Sequence, residues 1–203
     1  MTTADTGATA APTSITGNYT LDPAHTRIGF SARHAMVSKV RGAFKELEGA
    51  GYIDEEKPAN SHFEVTIKVS SIDTGNTDRD NHLRTNDFLA MDEYPEIKFV
   101  TTEVEPVDDT HFNVTGDLSI RGTTKSVTIE FEYTGNTVDP WGNHRVGFEG
   151  GTTISRKDWG VTWNVALEAG GVMVSDKVTL DFDVEAVKAK AEEPAAPAET
   201  ASA

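Results

Sequence analysis

Six histidines, at positions 25, 34, 62, 82, 111 and 144, are the side chains of this sequence best suited to hold a metal or pass a proton near neutral pH. None stands two residues from another, as ligands on one strand face would, and none four, as on a helix turn. The motifs of covalent chemistry are missing too. There is no Gly-x-Ser-x-Gly elbow, no Walker loop and no Gly-x-Gly-x-x-Gly ahead of a helix, and Gly147 to Gly151 sits inside a strand pattern. The absence of cysteine removes disulfides, thiolate nucleophiles and cysteine metal sites together. Carboxylates such as Glu130, Glu132, Asp181 and Asp183 alternate with apolar residues and read as solvated charges, while Trp141, Trp159 and Trp163 fall near predicted turns and suit rim packing. With no residue set fitted to covalent chemistry, function is sought in what the surrounding elements enclose.

Those elements are strands. From His111 to Ile120, Phe112, Val114, Gly116, Leu118 and Ile120 share one face, and Asn113, Thr115, Asp117 and Ser119 the other. The same period predicts strands from Tyr19 to Leu21, His25 to His34, His62 to Val69, Glu96 to Val104, Lys125 to Tyr133 and His144 to Ile154. A last strand carries Val178, Leu180, Phe182 and Val184. The run from Val40 to Ile53 changes parity between Phe44 and Leu47, which predicts a bulge or bend near Lys45 and Glu46. Arg121 to Thr124 reads as a hairpin turn. Between Ser70 and Tyr94 the alternation stops. Asn76, with Asp78 and Asp80 in the first turn, starts a short helix whose apolar anchors are Leu83 and Phe88. On a barrel such an insertion would lie across one mouth.

About eight strands, each apolar on one face, make two packed sheets or one closed barrel. An eight-stranded barrel is either filled by its own side chains or holds one small ligand. Ala32, Gly42, Gly49, Gly51, Gly116, Gly150 and Thr152 fall on or near the apolar columns and withdraw volume from the centre, while Phe30, Phe44, Phe63, Phe99, Phe131, Phe148 and Phe182 line it. Two readings stay open at this point: a lined cavity, or glycines that mark bulges and barrel corners.

Bulk properties narrow the partners. Lys and Arg total 18 against 33 Asp and Glu, a formal charge of -15 that repels phosphate backbones and anionic bilayers, so nucleic acid is not an expected partner. Residues 1–16 have neither a basic head nor an apolar stretch, and nothing later reaches the length of a membrane span. The expectation is a cytoplasmic protein without stable membrane insertion. Residues 1–16 and the Ala-, Glu- and Pro-rich tail over 189–203 are expected to be disordered, leaving 17–188 as one domain.

Local words are more specific than periodicity. Tyr19-Thr-Leu-Asp22-Pro-Ala-His25-Thr-Arg-Ile-Gly-Phe30, Arg33-His34 and Ser38-Lys-Val-Arg-Gly42-Ala-Phe44 resemble the opening of the YceI-like family of lipid-binding barrels. The resemblance continues through Ser71-Ile-Asp73-Thr-Gly75-Asn, Arg79-Asp80-Asn-His82-Leu83-Arg84, Asp87-Phe88 and Tyr94-Pro95-Glu-Ile-Lys-Phe99. It closes with Gly116-Asp-Leu-Ser-Ile-Arg-Gly122-Thr-Thr-Lys125 and Ile154-Ser-Arg156-Lys-Asp158-Trp159-Gly160. The blocks keep the family's order over nearly the whole core.

The resemblance implies an all-β fold: an extended, antiparallel, eight-stranded lipocalin-like barrel with a short helical flap, often a homodimer. It implies a polyisoprenoid, quinone or fatty amphiphile as ligand, a long-chain amphiphilic lipid being the partner, with no catalytic cofactor. The tail would then meet Phe30, Phe44, Phe63, Phe99, Phe131, Phe148 and Phe182, together with Leu83 and Phe88 of the flap. Head-group contacts are expected from His34, Arg79, Asn81, Arg84 and Asn86, with His82 and Asp87 beside them. The acidity of the chain favours a neutral head such as a quinone or amide, although two arginines can override a net field locally. The chain departs from the family where Leu89 and Ala90 follow Phe88 in place of a second aromatic, and residues 1–16 are not expected to act as the secretion signal that many relatives carry. Two alternatives belong to other classes: an enzyme acting on the same ligand through His34 or His82, and an interaction module whose barrel is filled.

Overall fold

The computed structural model of the protein describes residues 14–168 and 170–190. The disorder expected over 1–13 and 191–203 falls outside these residues. The strands are β1 (Gly17–Leu21), β2 (Arg27–His34), β3 (Ser38–Phe44), β4 (Leu47–Ile53), β5 (His62–Lys68), β6 (Ile72–Asp73), β7 (Glu96–Pro106), β8 (His111–Ile120), β9 (Thr123–Val138), β10 (His144–Ser155) and β11 (Val174–Lys188). All neighbours are antiparallel. The order β1-β4-β5-β7-β8-β9-β10-β11 closes through a β1–β11 pairing into an eight-stranded barrel, and β2, β3 and β6 extend it beside β11.

Three of the eight walls are bent strands. β1 and β2 both pair with β11 and are separated by the Asp22-Pro23 turn, β3 and β4 break at Lys45 and Glu46, and β5 passes through a 3-10 turn at Val69–Ser71 into β6. The parity change between Phe44 and Leu47 marks the second of these bends. Two of the bends lock side by side: the Lys45 amide donates to the Ser71 carbonyl at 3.2 Å, and the Lys68 amide to the Glu46 carbonyl at 3.0 Å. Buried backbone groups freed from the ladder are thereby satisfied.

β8 spans the predicted residues, and β7, β9 and β11 run further than expected. The extension of β9 through Thr137 carries no large apolar residue, yet β10 supplies it with a ladder partner as far as Val138. The β8–β9 turn is only Arg121-Gly122, both at positive φ (49° and 71°), as a tight two-residue hairpin requires. The one α-helix among the described residues, α1 (Thr77–Arg84), starts where expected, with the Asn76 side chain accepting from the Arg79 amide at 2.9 Å. No helix of the described residues is long and apolar enough to cross a membrane.

Order begins before the expected boundary at Gly17. The Glu55 carboxylate accepts from the Ser14 hydroxyl and the Ile15 amide at 2.9 and 3.1 Å, and the buried Tyr19 hydroxyl donates to the Ile15 carbonyl at 2.8 Å. Burial pushes the Tyr19 hydroxyl up to about 12, which keeps it a donor.

Candidate functional site

The inward columns of the barrel enclose a cavity of about 460 Å³ with an almost wholly apolar wall. Phe30, Phe44, Phe63, Leu83, Phe88, Phe99, Phe131, Phe148 and Phe182 all stand in that wall. Ile28, Val65, Leu118, Ile129 and Leu180 fill the positions between them.

The glycines leave this space open indirectly. A Cβ on Gly42 would come within 2.5 Å of Phe30 Cζ, and one on Gly51 within 2.5 Å of Phe63 Cγ. One on Gly150 would come within 2.5 Å of Phe131 Cδ1. Each of these phenylalanines lies directly opposite its glycine on the neighbouring strand. Phe99 covers Gly116 in the same way from a diagonal position. The rings therefore lie along the wall, over positions with no side chain, instead of standing up into the centre.

The two ends of the cavity differ. At one end the insertion and the loop after β10 form a plug: Leu83, Phe88, Leu89, Trp159 and Val161 line it, and all are buried or half-buried. The Trp159 indole is 3% exposed and donates to the Leu118 carbonyl at 3.0 Å. Arg121 reaches across, giving hydrogen bonds to the Gly160 carbonyl at 2.8 Å and the Asn86 carbonyl at 2.7 Å. Behind them His82 meets Phe88 and Trp163 edge to face, and these two rings tilt together, with all centroids 4.8 to 5.2 Å apart. At the other end the wall includes Ile15, Asp54, Pro58 and Ser61, and here stand its three exposed residues, Glu55, His62 and Asp109. The cavity meets solvent at this acidic rim, away from the flap.

The polar residues expected to meet a head group do not line the cavity. Arg79 donates from Nε to the Thr74 hydroxyl at 2.7 Å and from Nη2 to the Thr74 carbonyl at 2.8 Å. Arg84 serves the Ser70 and Ile72 carbonyls at 3.0 and 2.9 Å and is held by Asn81 Oδ1 at 3.0 Å. Asn86 contributes its carbonyl to Arg121, and His82 pairs with Asp87 at 2.8 Å. His34 is exposed at the end of β2. The reason is local: β6 is a two-residue edge strand paired only with β3, and the free carbonyls of Ser70, Ile72 and Thr74 along this edge need donors that the flap supplies.

One residue of the wall escaped the sequence reading. Arg156 is 6% exposed, lines the plugged end and donates to the Ser175, Val161 and Val174 carbonyls. The inward column Phe148, Gly150, Thr152, Ile154 reaches it at the next even position, so alternation alone pointed to it.

Outside the barrel, Asp22, His25 and Glu185 bring three metal-type ligand atoms within 4.8 Å of one another. Arg145 occupies the charge of this group, donating to Asp22 at 2.6 Å, to Asp139 at 2.8 Å and to Glu185. The Arg145 hydrogen bond, followed by that from His25, holds the Asp22 carboxyl down at about 2.

Comparison with known proteins agrees with this architecture. The family described as YceI-like domain matches residues 19–186. A UPF0312 protein of Photorhabdus laumondii subsp. laumondii is 40% identical over 151 residues, covering 73% of this chain and 78% of the relative. Protein YceI of Escherichia coli O6:H1 is 37% identical over 183 residues, 89% of this chain and 92% of the relative. The crystal structure of the Campylobacter jejuni YCEI protein superposes with a TM-score of 0.68 at 27% identity, over 94% of this chain and 99% of that one. A polyisoprenoid binding domain from Saccharophagus degradans superposes with a TM-score of 0.63 at 15% identity, over 84% and 98%, and shares the fold. With the barrel closed, the flap in place and the family matched across nearly the whole folded part, the chain belongs to the YceI-like family.

Proposed function

We propose that this protein binds a long-chain isoprenoid or similar amphiphilic lipid non-covalently and stores or carries it. The observation that supports this most is the cavity itself: about 460 Å³ inside the barrel, apolar over nearly all of its wall, plugged at one end and open at the other. Burial of a dozen methylenes would contribute about 10 kcal/mol at roughly 0.8 kcal/mol each, comparable with an association cost of about 4–15 kcal/mol. A single long tail is therefore the smallest ligand such a wall can hold well. The polyisoprenoid binding of the Saccharophagus degradans domain, which shares this fold, supports the same ligand class.

The enzyme alternative has less behind it. His34 and His82 are both outside the cavity wall, and His82 is paired with Asp87 and packed between Phe88 and Trp163. The filled-barrel alternative conflicts with the cavity. The test is direct. Purified protein extracted with organic solvent should release a long-chain amphiphile in a stoichiometric amount by mass spectrometry. An extract without lipid, from a protein that also fails to enhance the fluorescence of N-phenyl-1-naphthylamine, would overturn the reading.

A further inference from the structure

The cavity is electrically polar from end to end. Its rim carries Asp54, Glu55 and Asp109, and its plugged end carries one cation, Arg156. A guanidinium has five N–H groups. Three of those on Arg156 are used: Nε on the Ser175 carbonyl at 3.0 Å, Nη1 on the Val161 carbonyl at 2.7 Å and Nη2 on the Val174 carbonyl at 3.4 Å. Two are left over. Among the described residues no carboxylate forms an ion pair with this guanidinium, whereas Arg145 on the outer surface has three. The acid that acts on it electrostatically, Asp176, accepts from the Ser155 hydroxyl at 2.8 and 2.9 Å and from the Lys157 amide, and forms no ion pair with it. Ile154, Trp159, Val161 and Val174 surround it in the wall, so water is scarce and any charge partner there interacts strongly. Burial works against its charged form more than Asp176 supports it.

We propose that the plugged end is a subsite for the anionic head of a single-chain amphiphile, a carboxylate or a phosphate, received by the two unused N–H groups of Arg156. The ligand enters head first, and its tail extends back toward the rim. The acidic rim acts in the same direction, because Asp54, Glu55 and Asp109 repel an anionic head that would otherwise stop at the mouth. This inference rests on the lipid-binding reading above and adds to it the charge and the orientation of the ligand. It also replaces the expectation, drawn from net acidity, of a neutral head.

The delipidated full-length protein, loaded with the neutral dye N-phenyl-1-naphthylamine, can be challenged with hexadecanoate, hexadecyl phosphate and hexadecanamide. Either anion is expected to displace the dye at a concentration about tenfold or more below that of the amide, the factor expected for one charge-assisted hydrogen bond. The two anions also distinguish a carboxylate site from a phosphate site. Arg156→Gln should abolish the preference while leaving the amide unchanged, and Arg156→Lys should keep part of it. Loss of all three ligands together in Arg156→Gln, or a preference that survives it, overturns the head-group role. Failure of every ligand to displace the dye from the native protein overturns the lipid-binding reading as well.

Orientation is read without touching Arg156. In a Trp141→Phe protein, which keeps only Trp159 and Trp163 at the plugged end, 2-bromohexadecanoate should quench the indole fluorescence more than 16-bromohexadecanoate. Equal quenching, or the reverse order, overturns head-first entry even where the variants of Arg156 do not fold.

Discussion

The two ends of this barrel close by opposite means. The flap end is sealed from within: Trp159, Val161 and Phe88 are buried where they line it, Leu89 packs against the core beside them, and Arg121 clamps two backbone carbonyls across the seam. The rim end is tied from without. Ser14 and Ile15 are held by Glu55, and the β9–β10 turn is held through Asp139 to Arg145, which also binds Asp22 and Glu185. Apolar burial is indifferent to pH and hard to open partially. Exterior ion pairs hold an edge in place while leaving the hole beside it wet. The shut end and the open end therefore receive different chemistry from one chain.

The largest effect on this contrast should come from Trp159→Ala. Deleting a side chain 3% exposed at the plug should cost about 3–5 kcal/mol in urea unfolding, and the hole left there should speed the release of bound dye. A loss under about 1 kcal/mol would mean that the seal does not depend on this ring. Next in size is Gly51→Ala, near the rim. Its methyl would strike the His62 carbonyl as well as the Phe63 ring, and an expected cost of about 1–3 kcal/mol follows because backbone must move. Gly42→Ala sharpens the point. There the contacts are the tip of Phe30 and a Thr74 methyl, so stability should change less while Phe30 swings inward and dye uptake falls.

The smallest effect should be the acid response of the rim end. The Asp22 carboxyl is held at about 2 against an ordinary 3.8, so the stability it contributes is complete above pH 3.8 and is lost as pH falls through about 2. The Asp22→Asn protein should show a flatter fall of Tm across that interval than the native protein. An unchanged slope would remove Asp22 from the set of groups that hold this edge.

Much of this was legible in the residues. Alternation placed nearly every strand, the parity change after Phe44 marked a bend, and Asn76 marked the helix start, because each depends on local geometry. The wall residues followed from the same period. The head-group residues did not, since Arg79 and Arg84 look available for a ligand in sequence. Only the path of Ser70 to Thr74 reveals that free carbonyls along the β6 edge claim their donors. Arg156 was passed over for the converse reason, although the even-numbered column reached it. It follows a strand's last apolar residue and precedes a turn, where a cation reads as solvent-exposed, whereas the backbone that covers it comes from Val161 and from the start of β11, up to nineteen positions later.

Four phenylalanines resting on glycines give the lumen a property that rigid walls would lack. Each ring is a hinged leaf whose rest position occupies the place of an absent methyl, and rotation about its own side-chain bonds narrows or widens the bore without displacing a strand. For the ligand proposed above, the same tube would grip a thin straight tail or make room for one studded with methyl branches. Rotamers would then select tail shape, a far softer filter than a charge at the plugged end.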